Sequence, residues 1–89
     1  MALFAVMVAK DHPNLVAKLQ TSFPENHLKV ANGQWIVSSL GTAKEVSDIL
    51  GISEGEAGTT GIVCTIGNYF GRASSDIWEW MASRLKRGT

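Results

Sequence analysis

A single cysteine, Cys64, leaves this chain of 89 residues without an intramolecular disulfide. Its stability must therefore come from packing, and its expected setting is a reducing compartment. The only histidines, His12 and His27, lie far from any second cluster of ligands, so the donor set of a structural zinc site is missing. Charge of one sign is missing too. Eight basic residues balance eight acidic ones, and no overall field draws in nucleic acid or a membrane surface. Long apolar runs are absent: Met1–Ala9 is well short of the ~20 residues that cross a bilayer. That run has no basic leader and is followed at once by Lys10-Asp11-His12, which argues against a secretory signal. The expectation is a soluble cytoplasmic protein. Gly55, Gly58, Gly61, Gly67 and Gly71 fit neither a P-loop nor a dinucleotide fingerprint and read as turn residues.

A hydrophobic content of 45% with 18% charged residues describes an ordinary globular chain. Its length allows one small domain over residues 1–89. So small a chain buries only about 60–65% of its unfolded surface, which makes self-association a reasonable expectation.

Leu3–Ala9 is apolar on both faces, the pattern of a central strand covered on both sides. Pro13 suits the first turn of a helix whose stripe is Leu15, Val16, Leu19 and Phe23, and Pro24 ends it. Asn32-Gly33 between two short strand-like runs predicts a two-residue hairpin. In that register Val30 faces Trp35 and Leu28 faces Val37, forming one apolar face. His27, Lys29, Gln34, Ile36 and Ser38 would form the other, mixed face. Thr42-Ala43-Lys44-Glu45 has capping-box spacing, followed by Val46, Ile49 and Leu50 as a buried stripe and Gly51 as a left-handed stop. Ser53–Thr60 is acidic and glycine-rich and reads as a mobile loop. Ile62–Ile66 is β-branched and reads as a strand, with Cys64 as a small core residue. After the loop Asn68–Arg72, Ser74, Ser75 and Asp76 offer caps for a last helix with the stripe Ile77, Trp78, Met81 and Leu85.

The order β-α-β-β-α-β-α predicts an α+β protein: a ferredoxin-like plait with an additional C-terminal helix and strand order 4-1-3-2. Two helices cover one sheet face. The second face is left open unless the last helix, a partner chain or a ligand covers it, and a symmetric dimer is the common solution.

Four residues are candidates for partner binding. Tyr69, Phe70 and Arg72 have the chemistry for anchoring a protein or stacking single-stranded bases. Trp80 falls outside the buried stripe of the last helix and is the best candidate for an exposed contact. No catalytic constellation is evident. Asp11, closing the first strand, could bind a divalent metal, or Asp11 or His12 could cap the helix at Pro13.

A hydrophobic first strand ending in Asp11, followed by helix, hairpin, helix and strand over residues 2–70, resembles the small CRISPR-associated endoribonuclease and integration-subunit family and related plait proteins of toxin–antitoxin systems. This chain has Lys10-Asp11 where that family usually has tyrosine and aspartate. The resemblance implies Asp11 as a Mg²⁺ or Mn²⁺ ligand at a dimer axis in a metal-dependent endoribonuclease-like protein. The residues themselves favour a homodimeric interaction or regulatory module.

Overall fold

The computed structural model describes residues 2–72 and 75–87, the last three of these by their backbone. Seven elements follow one another: β1 (Ala2–Val8), α1 (Pro13–Ser22), β2 (His27–Ala31), β3 (Gln34–Ser39), α2 (Ala43–Leu50), β4 (Gly61–Ile66) and α3 (Ser75–Arg87). The strands form one sheet in the order β2-β3-β1-β4, with every neighbouring pair antiparallel. Read from the other end this is 4-1-3-2, the ferredoxin-like plait expected, with α3 as the additional helix.

The two-sided apolarity of β1 follows from its interior position. Phe4 and Val6 face α1 and α2, in a core with Leu15, Leu19, Phe23, Trp35, Val37, Val46 and Leu50. Leu3 faces the opposite way and joins Ile36 and Met81 of α3 in a second, smaller core. The last helix therefore folds across the second sheet face of its own chain.

Local signals set the helix ends. His12 caps α1, its Nδ1 accepting from the Asn14 N–H at 3.2 Å. Thr42 and Glu45 form the reciprocal capping box at α2, and Gly51 closes that helix at φ +79°. Ser74, one of the expected caps of α3, lies outside the described residues, as does the side chain of Leu85.

Four expectations need correction. The hairpin register is shifted by a bulge between Lys29 and Ala31, so that Lys29, not Val30, stands opposite Trp35. Lys29 and His27 therefore share a face with Trp35 and Val37, while Leu28 pairs with Ile36 on the second face. The cause is the turn: Gly33 alone takes a left-handed φ (+78°), whereas the expected turn needs both central residues there. Ile49 is exposed on α2 because only Val46 and Leu50 reach the core. The 53–60 segment is pinned: Ala57 is fully buried in the main core and the Asn14 carboxamide donates to the Glu56 carbonyl at 3.4 Å. Cys64 is exposed, since β4 is an edge strand and the cysteine lies on the face that α3 only partly covers.

Candidate functional site

Asp11 leaves the end of β1 and reaches the hairpin. Its Oδ1 accepts from the Gly33 N–H and the Trp35 indole N–H, both at 2.8 Å, while Oδ2 pairs with the Lys29 ammonium at 2.9 Å. The bulge explains this cluster, because it turns Lys29 toward Trp35 and within reach of the carboxylate. The Asp11 side chain is only 12% exposed. Lys29, ahead of the opposing cost of burial, holds its carboxyl below the usual carboxylate range, with the indole and the Gly33 N–H adding to the effect. Asp11 is thus a latch between the first strand and the hairpin. The helix-capping role falls to His12.

That geometry does not suit a divalent cation. Both carboxylate oxygens are engaged by donors, and one of these donors is an ammonium that would repel the ion at close range. Among the described residues no group of three His, Cys, Asp or Glu side chains is placed to hold a metal.

The aromatic candidates separate. Tyr69 is half-buried and stacks on Trp78, with ring centroids 5.7 Å apart and planes within 10°. Phe70, its neighbour, is fully exposed. Arg72 is exposed and forms no ion pair among the described residues. Trp80 is partly buried against the second core, with the Arg84 guanidinium 4.8 Å above its ring and its carbonyl accepting from the Ser83 hydroxyl. It therefore contributes to holding α3 in place. Arg84 also donates to the Glu25 carbonyl, tying α3 to the α1–β2 connection.

Helix α3 leaves a strip of the second face open. Met7 and Ile62 are opposite each other on β1 and β4 and are 46% and 61% exposed. Cys64 continues the strip along β4. A groove of about 500 Å³ runs between Met7 of β1, the hairpin residues Val30, Gln34 and Ile36, and α3, with Ile66, Tyr69, Phe70 and Trp78 also lining it, whereas Ile62 and Cys64 do not. Among the described residues no charged side chain lines it. The sequence placed an uncovered apolar face in this sheet, but not Met7 and Ile62 as the residues left open. Their exposure depends on how far across the sheet a helix at the far end of the chain extends.

Comparison with known proteins finds no matching family model, no matching curated protein and no matching solved structure. No helix among the described residues is long and apolar enough to cross a membrane.

Proposed function

We propose that this protein is an interaction module that acts as a homodimer, with a second copy docked beside β4 on the strip that α3 leaves open. One observation carries the reading: Met7 and Ile62, opposite each other on β1 and β4, stay exposed, and Phe70 is exposed on a groove that Met7 also lines and that no charged side chain among the described residues enters. These side chains leave on the order of 400–500 Å² of apolar surface per copy, so covering them in two copies would bury roughly 800–1,000 Å², the size of a weak, concentration-dependent association. The balanced charge of the chain offers no electrostatic barrier to such pairing.

Sedimentation from micromolar to millimolar concentration tests it. The expected result is a monomer–dimer equilibrium that Ile62→Lys abolishes. Gln20→Lys, on the exposed side of α1, should leave it unchanged. A monomer throughout the range overturns the reading. So does cleavage of labelled RNA in Mg²⁺ or Mn²⁺ that disappears in a folded Asp11→Asn variant, since activity would then rest on Asp11.

A further inference from the structure

We infer that the two copies join edge to edge, β4 pairing antiparallel with β4 of the second copy about a two-fold axis at Cys64, to make one continuous eight-stranded sheet. This rests on the association proposed above and specifies where and in what register it occurs.

The two edges of the sheet are built differently. Exposed strand edges invite pairing, and proteins block them with charges, prolines, bulges or covering segments. Edge strand β2 carries Lys29 and the bulge between Lys29 and Ala31. The opposite edge, β4, reads Gly-Ile-Val-Cys-Thr-Ile, with no charge, no proline and an unbroken register against β1. One edge is protected and the other is open.

The backbone hydrogen bonds fix which groups β4 offers. The Ala9 N–H donates to the Thr60 carbonyl at 3.0 Å, and the Val8 N–H to the Gly33 carbonyl at 2.8 Å. In an antiparallel ladder such bonded pairs recur at every second residue. Thr60, Ile62, Cys64 and Ile66 therefore turn their backbone groups toward β1, while Gly61, Val63 and Thr65 turn theirs outward. No hydrogen bond outside the sheet uses the outward groups of Val63 or Thr65 among the described residues.

Pairing two such edges antiparallel sets outward residues of one copy opposite outward residues of the other. Two registers do this: centred on Val63, all of Gly61, Val63 and Thr65 meet the same set, whereas centred on Cys64 only Val63 and Thr65 do and Gly61 falls opposite Gly67. Centred on Cys64, Val63 bonds Thr65 of the second copy, and Ile62 lies opposite Ile66 on the second face. Centred on Val63, Ile62 meets only Cys64. The Cys64 register gives up one bonded pair and gains two Ile62–Ile66 contacts on the second face, where the Val63 register sets Ile62 against Cys64 and Ile66 against Thr60.

The Cys64 register has a chemical signature. Facing cysteines in a non-hydrogen-bonded antiparallel pair have Cα atoms about 4.5 Å apart, within disulfide reach, whereas a shift of two residues exceeds it. With oxidised glutathione as the oxidant, an Sγ–Sγ bond forms between the two Cys64 thiols as the glutathione disulfide breaks. Two reduced glutathiones leave carrying the two thiol protons.

The test combines sedimentation in reductant with oxidation by glutathione disulfide at concentrations above the dissociation constant. Expected is a reducible covalent dimer in the wild type, and none over the same period in Cys64→Ser/Ile62→Cys, whose two thiols lie far apart in this register. Thr65→Pro removes an outward N–H that β1 does not use, so it should abolish association while the monomer stays folded by circular dichroism; Thr65→Val should retain association. A dimer in reductant that fails to cross-link through Cys64, or survives Thr65→Pro, or cross-links as fast through position 62, overturns the register and leaves association standing. A monomer at every concentration overturns both.

Discussion

Asp11 ties together residues that sequence spacing does not connect: Gly33, Trp35 and Lys29 lie 18 to 24 positions away. Removing its carboxylate in Asp11→Ala strands an indole N–H and a buried backbone N–H, at an expected cost of about 2 kcal/mol measured by urea denaturation. Asp11→Asn keeps an oxygen for the two N–H donors but loses the ion pair, so it should cost less. Because the folded-state pKa is depressed, the carboxylate's contribution is present above its unfolded value and disappears as pH falls through the lower folded value. The stability gap between wild type and Asp11→Asn should therefore be flat near neutrality and close only in acid, below about pH 4. A gap that persists unchanged at the lowest pH would place the role of Asp11 in shape rather than charge. Beside it, a Cβ on Gly33 would stand 2.4 Å from the Val8 carbonyl oxygen in a left-handed backbone. Gly33→Ala should cost more than about 1 kcal/mol and loosen the same latch.

At the scale of elements, legibility follows how local the cause is. The capping box of α2 uses Thr42 and Glu45, three residues apart, and its two bonds form as the spacing implies, at 3.2 Å each. Thr42→Ala should accordingly cost about 1 kcal/mol in thermal or chemical unfolding. The hairpin was legible in kind but not in register. Asn32-Gly33 marks the turn, yet whether Asn32 also goes left-handed is decided partly by partners from outside the hairpin: the Asp11 N–H donates to Asn32 Oδ1 at 3.3 Å, and Asp11 accepts from the Gly33 N–H. One residue of slip exchanged Lys29 for Val30 beside Trp35 and so created the latch. The candidate site was less legible still. That Tyr69 stacks while Phe70 points out, that Trp80 is held by Arg84, and that Cys64 is exposed all follow from the path of α3 and the edge position of β4. Periodicity within each segment carries no information on either.

The whole molecule is one sheet shared by two cores of unequal depth. The larger is closed by α1 and α2, and the smaller rests on Leu3, Ile36 and Met81. Because the ladders that hold β1 run to β3 and β4, α3 can lift without breaking a strand. Its free energy of opening should be lower than that of global unfolding. Met81 is 3% exposed and is the one side chain of α3 among those described that is fully buried. Met81→Ala should therefore remove about 2–4 kcal/mol, and the loss should fall on the docking of α3 first. Hydrogen exchange checks this residue by residue: amides of α3 should exchange faster in the variant while those of β1 keep their protection. Equal loss in both would mean that the sheet and the last helix open as one unit. Lifting α3 uncovers Leu3 and Ile36 next to Met7, enlarging the apolar strip on which association is proposed. Met81→Ala should thus shift the sedimentation equilibrium toward larger species even as it destabilises the chain, a pairing of effects that a purely structural role for α3 would not produce.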